Sequence, residues 1–338
     1  MSISESRENP ENSTQVASER QKEIQREQDS KDVKSAEQPQ AKGAEKQKKA
    51  VQTSAIERPS PPFPSQHLEK PSHESEMELK PQFMAEAYKG SEKLKDAVTI
   101  ITGGDSGIGR AVAVLFAREG ADVAIIYLNE HDDAEKTRRY VEAEGRECLL
   151  IPGDVKDSAF CKMAVQQVVD KFGKLDVLVN NAAFQEHAES LLDLTEERFD
   201  ETMKTNVYGY FHMAKAAIPF LRKGASIINT GSVTGLHGSK ELLDYSTTKG
   251  AIHAFTKSLA SNLLDQGIRV NAVAPGPVWT PLNPADKSSQ DISQFGADVD
   301  MRRPAQPEEI SPAYVYLASS ICSSYVTGIV LPITGSVG

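Results

Sequence analysis

From Leu94 onward the chain alternates short apolar runs with amphipathic segments, and this alternation restricts the possible folds more than any other feature. The runs occupy residues 98–102, 123–127, 148–151, 177–179, 226–230, 269–273 and 329–331, and most of their residues are β-branched or Leu. Between them, residues 109–119, 134–144, 158–172, 196–221, 247–265 and 307–318 carry apolar side chains at spacings of three and four, the period of a helix with one buried face. Strands apolar along their whole length belong in a sheet covered on both faces, built from βαβ units. Gly120, Gly145, Gly173 and Gly267 each close a helical pattern, where a left-handed residue ends a helix cheaply. The expectation is an α/β fold, a single doubly wound Rossmann-like domain with a seven-stranded parallel sheet.

Residues 1–88 read differently. They are dominated by Glu, Gln, Lys, Ser and Pro, too poor in apolar groups to pack a core of their own, so a disordered N-terminal tail and linker is expected over 1–88, with the folded domain over 89–338. The first 90 residues hold 14 Lys and Arg against 16 Asp and Glu, which leaves −8 of the net −10 on the remainder. The tail is therefore no basic arm. Lys42, Lys46, Lys48 and Lys49 read as a solvated charge run, and no nucleic-acid partner is expected. The Pro-rich 59–64 piece reads as a stiff linker.

Cys148, Cys161 and Cys322 lack metal-ligand spacing, and His187, His212, His237 and His253 are scattered, so no metal site is expected; these histidines read as surface or pocket-edge residues. Residues 331–335 spell LPITG, which resembles a cell-wall sorting signal but lacks the apolar tail and basic end that such a signal needs. With no apolar run of about 18 residues and no signal-like N-terminus, the expectation is a cytoplasmic protein with no membrane partner.

The first apolar run ends in Thr102-Gly103-Gly104-Asp105-Ser106-Gly107-Ile108-Gly109-Arg110, directly before a helical segment. Glycines there permit a tight turn, and the N–H groups of a helix start attract a pyrophosphate. The spacing of Gly103, Gly107 and Gly109 departs from GxGxxG and resembles the TGxxxGxG pattern of the short-chain dehydrogenase/reductase family. The resemblance spans about 94–335. Asp154-Val155 is similar to that family's adenine contact, Asn180-Asn181-Ala182-Ala183 to its NNAG segment with Ala183 in place of glycine, and Pro275-Gly276-Pro277-Val278-Trp279-Thr280 to its nicotinamide-facing PG segment. Asn206, Ser232, Tyr245 and Lys249 match its catalytic positions.

The resemblance implies NAD(P) held by Gly103, Asp105, Ser106, Gly107, Ile108, Gly109, Tyr127, Asp154, Val155, Asn181, Ala182, Ala183, Tyr245, Lys249, Pro275, Gly276, Val278 and Thr280. The polar extension and the 88–94 approach to the first strand are similar to a bacterial subgroup of general stress proteins and broad aldehyde reductases. The residue types suit carbonyl–alcohol interconversion. Tyr245 can give and take a proton, Lys249 four residues on shares its helix face and favours the phenolate, and Ser232 can hold the substrate oxygen. The resemblance further implies that Asn206 widens its helix to keep a proton-relaying water, that Lys249 also holds the nicotinamide ribose, and that the protein is a homotetramer.

Neither sign of charge stands at Tyr127, where the nucleotide's 2′ position is read, or at Ser106. Asp105, Glu130, Asp132 and Asp133 supply a negative field, so the cofactor expectation is NAD or NADP with a lean to NAD. Residues 282–303 form a candidate lid, and His237 a candidate cleft residue. Two other readings stay open: a sensor or scaffold that binds NAD(P) without turnover, and an isomerase or dehydratase on the same fold.

Overall fold

The computed structural model describes residues 10–36 and 49–337. Seven strands form one parallel sheet: β1 (Val98–Thr102), β2 (Asp122–Tyr127), β3 (Cys148–Pro152), β4 (Val177–Asn180), β5 (Ser226–Thr230), β6 (Arg269–Pro275) and β7 (Val330–Ile333). Their order is β3-β2-β1-β4-β5-β6-β7. The helices are α1 (Pro10–Ala36), α2 (Gly107–Arg118), α3 (His131–Ala143), α4 (Ser158–Phe172), α5 (Glu196–Met203), α6 (Gly209–Ala217), α7 (Thr234–His237), α8 (Leu243–Leu263), α9 (Ser289–Ile292), α10 (Pro307–Ala318) and α11 (Ser320–Ser323).

The sheet is buried on both sides because each side meets its own apolar layer. Val98 and Ile100 of β1 pack with residues of α4, α6 and α8. Ile101 faces the other way, toward α2, α3 and α10. β1 pairs with β2 on one edge and β4 on the other, so the chain reverses its direction of winding there. The loops leaving β1 and β4 part and open a crevice at the strands' C-terminal ends, the usual ligand position of such a sheet. Gly173 ends α4 at φ 79°, with its N–H bonded to the Val169 carbonyl, as its position predicts. The LPITG stretch is mostly β7, whose Leu331 is in register with Val273.

Two expectations need correction. The helix expected over 196–221 is interrupted: α5 and α6 are separated by a π-helical turn, Lys204–Tyr208, that holds Asn206. The larger difference concerns the arm before β1. Residues 1–9 and 37–48, and with them Lys42, Lys46 and Lys48, lie outside the described residues, but α1 is helical and residues 49–88 lie against the domain.

The reason is that the few apolar groups of the arm borrow a core from the segment after β6. Phe63, in the supposed linker, stacks on Trp279 with ring centroids 4.3 Å apart, and Leu68 and Met77 are buried with Ala285 and Ile292. Backbone groups are paired as well: the Phe63 N–H donates to Ser293 O and the Leu68 N–H to Pro284 O, both at 2.9 Å. α1 has no apolar face to speak of and is held by polar contacts, its Gln25 Nε2 donating to Leu68 O at 2.7 Å and to Ala285 O at 3.0 Å. Composition counted within 1–88 misses this, because the complementary surface lies some 200 residues away. The candidate lid at 282–303 is correspondingly pinned under the arm. Phe63→Ala is expected to lower stability by about 3 kcal/mol, read from the denaturant midpoint; an unchanged midpoint would mean that the arm does not pack as described.

Candidate active site

The turn after β1 sets the geometry. An ideal Cβ on Gly109 would lie 1.9 Å from Gly103 O, so α2 presses on the turn as only glycine permits. Gly103 and Gly107 have φ of +62° and +51°, in the left-handed region. The start of α2 opens on a cavity of about 240 Å³ at the C-terminal ends of the strands. Of the predicted cofactor residues, Gly103, Asp105, Ser106, Gly107 and Ile108 line it beside α2, and Tyr127 lines it after β2. Asp154 and Val155 line it after β3, Asn181, Ala182 and Ala183 after β4, and Thr280 after β6.

The other predicted cofactor residues, Gly109, Pro275, Gly276 and Val278, do not line the cavity. Gly276 passes so close to the end of β7 that a Cβ would lie 2.7 Å from Thr334 O. The Pro275 carbonyl accepts from Val233 N at 2.9 Å. The Val278 carbonyl accepts from Asn283 Nδ2 at 2.6 Å. Thr102, which sequence reasoning did not single out, accepts from Asn181 N at 2.9 Å and Ala182 N at 3.0 Å and so joins the β1 and β4 ends of the crevice.

α8 begins at Leu243, earlier than its apolar period suggests, and therefore carries both Tyr245 and Lys249, each buried at the cavity wall. Ser232 Oγ accepts from Thr234 N at 3.1 Å and Thr234 Oγ1 at 3.0 Å. Burial pushes the Tyr245 phenol well above its usual range, against the lowering influence of the nearby Ser232 side chain, and the Asp286 charge adds to the rise. Burial also brings the Lys249 ammonium down to about 7. Its Nζ donates to Thr230 O at 2.8 Å and sits 5.3 Å from the Tyr245 ring centroid. In this dry wall burial acts against the phenolate that Lys249 is expected to favour, and Lys249 is not among the groups that shift Tyr245.

Asn206 is fully buried. Its Oδ1 accepts from Phe184 N at 2.7 Å, and its Nδ2 donates to Phe184 O at 2.9 Å and Thr248 Oγ1 at 3.0 Å. The side chain therefore fixes the loop after β4 to α8, within the π turn. His237 is exposed and does not line the cavity, contrary to the cleft expectation. His253 is buried, its Nε2 3.4 Å from Ser232 N, and burial lowers its pKa, as does the Lys249 charge.

The loops after β1 and β2 gather several buried carboxyl groups, among them Asp105 and Glu130. Burial and the nearby Asp105 raise the Glu130 carboxyl to about 8. The buried Arg110 is taken up by Glu74 of the arm, which it pairs closely, and by Asp133 at 3.2 Å. Glu74 also accepts from Gly107 N at 2.9 Å, capping α2. No motif announced Glu74, because its partners meet it only through the fold.

A second cluster lies next to the cavity residues Lys70 and Ala285. His187 faces Asp286 at 2.9 Å and Glu186 at 3.2 Å through Nδ1, and Asp32 of α1 at 3.0 Å through Nε2. Glu186, His187 and Asp286 place ligand-type atoms within 4.8 Å of one another, and the geometry reads as a histidinium among carboxylates. Burial opposes the charge, but the bonds to Asp286, Asp32 and Glu186 override it and raise His187 to about 12. Burial would raise Asp286, yet His187 and Lys70 hold it below the usual carboxylate range. His187 therefore contributes stability that is complete below its unfolded pKa of about 6.5 and is lost as pH rises toward about 12. His187→Gln is expected to lower Tm most at pH 5–6, with the deficit shrinking above about pH 6.5; a deficit independent of pH from 5 to 10 would contradict the ion-paired histidinium.

This site defines a class: a nucleotide-binding α/β oxidoreductase, with a glycine turn at the switch point facing a buried Tyr–Lys pair. A family model described as enoyl-(acyl carrier protein) reductase matches residues 103–336. General stress protein 39 of Bacillus subtilis (strain 168) is 53% identical over 266 residues, 79% of this chain and 93% of that protein. NADPH-dependent aldehyde reductase 1, chloroplastic, of Arabidopsis thaliana is 46% identical over 272 residues, 79% of this chain and 94% of that protein. A short-chain dehydrogenase from Burkholderia cenocepacia J2315, solved in complex with NADP, superposes with TM-score 0.68 at 32% identity, covering 72% of this chain and 98% of that one. The chain belongs to the short-chain dehydrogenase/reductase family and is an NAD(P)-dependent oxidoreductase. No helix among the described residues is long and apolar enough to cross a membrane.

Proposed function

We propose that the protein interconverts a carbonyl and an alcohol, on an aldehyde, ketone, sugar or polyol, with Tyr245 as the proton donor and acceptor. The observation that carries this reading is the burial of Tyr245, near Ser232, with Lys249 in one wall of the crevice whose other end is the glycine turn. The cradle suits a dinucleotide, since it runs from Asp154 and Val155, past the start of α2, to Tyr245. When bound, the nicotinamide gives hydride to the carbonyl carbon, or takes it from the alcohol carbon.

The protein's own residues manage the oxygen. Ser232 and Tyr245 hold it from one side, and the phenol, protonated near neutral pH, gives up its proton as the oxygen gains charge. Lys249, titrating near 7, is suited to restore that proton. Asn206 positions the Phe184 loop and α8 relative to each other. Phe211 and Tyr208 leave 44% and 51% of their surface exposed on the α5–α6 face; this apolar patch supports a homotetramer, which light scattering would read directly. The setting proposed is the cytoplasm, which fractionation of the cells would test.

For the nucleotide we propose a lean to NAD over NADP. Asp105 and Glu130 line the cavity, and Arg110 is committed to Glu74 and Asp133 instead of to a 2′-phosphate. NADH oxidation at 340 nm is expected to exceed NADPH oxidation in kcat/KM; a clear advantage for NADPH would reverse this part of the reading. In the same assay Tyr245→Phe should lower kcat by about 10²–10⁴-fold while NADH binding is retained. Equal rates in the two proteins would remove Tyr245 as the catalyst. Tight nucleotide binding without turnover on any carbonyl would support the sensor reading instead.

A further inference from the structure

The N-terminal arm does more than pack. Gln21 of α1 and Lys70, Pro71 and Ser72 of the strap line the same cavity as Tyr245 and Lys249. The matching family model begins at residue 103, so these wall residues lie outside what it describes.

Lys70 is only 3% exposed. Its Nζ donates to Glu186 Oε2 at 2.6 Å and to Ala285 O at 2.5 Å. An ammonium has three donors, so one remains after these two. Glu186 is fully buried and is not among the residues lining the cavity; its other oxygen, Oε1, is paired with His187 Nδ1 at 3.2 Å. A donor left over on a buried ammonium in a cavity wall is what a hydroxyl oxygen of a bound molecule can satisfy. Because Lys70 and Glu186 offset each other's charge, the pair does not select for an anion.

The location agrees with a substrate contact. Phe184, two residues before Glu186, is tied to Asn206, and its ring lies 5.8 Å from Lys70 Nζ. Ala285 adjoins Asp286, whose charge is felt at Tyr245. We infer that Lys70, held by Glu186, recognises a hydroxyl of the substrate near its reacting carbonyl, so that the arm makes the enzyme select hydroxylated aldehydes and ketones over alkyl ones. This inference rests on the carbonyl-reductase reading.

The test compares kcat/KM with NADH for glyceraldehyde and for butanal, which differ in hydroxyls more than in size. The proteins are the wild type, Lys70→Met and Lys70→Met/Glu186→Gln; the double variant removes the carboxylate that the single one leaves buried and unpaired. The wild type is expected to favour glyceraldehyde. Both variants should lose that preference by about tenfold or more, mainly through KM for glyceraldehyde, with butanal turnover and KM for NADH within about twofold of wild type. An unchanged ratio in both variants overturns the inference, and so does an equal loss on both aldehydes in the double variant, which would make Lys70 structural only. A wild type that reduces neither aldehyde, nor any other carbonyl, overturns the enzyme reading itself.

Discussion

The approach of α2 to the turn after β1 is the constraint on which the rest depends. A side chain at residue 109 would overlap the Gly103 carbonyl, so only glycine lets the helix start where it does. That position brings the start of α2 to the crevice formed where β1 leaves β2 and β4 on opposite edges, with Gly107 N held by Glu74 of the arm. The loops after β3, β4 and β6 then close around the same space, and α8 delivers Tyr245 and Lys249 to its far wall. Nothing else in the sheet needs to be unusual for the site to exist.

The second theme is desolvation. The crevice walls hold many ionisable groups out of water, and each shift follows from burial first and from neighbours second. Burial moves Tyr245 up and Lys249 down, in each case toward the uncharged form. Where charge is retained in the interior it is matched closely, as in Arg110 between Glu74 and Asp133, or His187 among Asp32, Glu186 and Asp286. In both clusters the arm provides one carboxylate, so the arm and the site share their electrostatics.

Much of this is legible in the sequence because it depends on local pattern. Apolar runs buried on both faces mark strands, and β1 through β7 fall within two residues of where the runs place them. The glycine spacing after β1 and the order of Asn206, Ser232, Tyr245 and Lys249 mark the site for the same reason, since each is a short motif on one element. What escaped are relationships between distant segments. Phe63 looks like a linker residue until Trp279 is seen beneath it, Glu74 like a solvated charge until Gly107 and Arg110 are beside it, and His187 like a surface histidine until three carboxylates surround it. The direction of the Tyr245 shift escaped too, because helix spacing shows that Lys249 is near but not that both groups are dry.

The central claim is that one crevice, bounded by the glycine turn and the Tyr245 wall and roofed by the N-terminal arm, holds the nucleotide and the substrate together. A crystal structure of the full chain with NAD⁺ tests it most directly. The account predicts the pyrophosphate at the start of α2 beside Gly107, the nicotinamide next to Tyr245, and Lys70 in place at the adjoining wall. A dinucleotide bound elsewhere, or an arm displaced from the crevice with the nucleotide in its position, would contradict it.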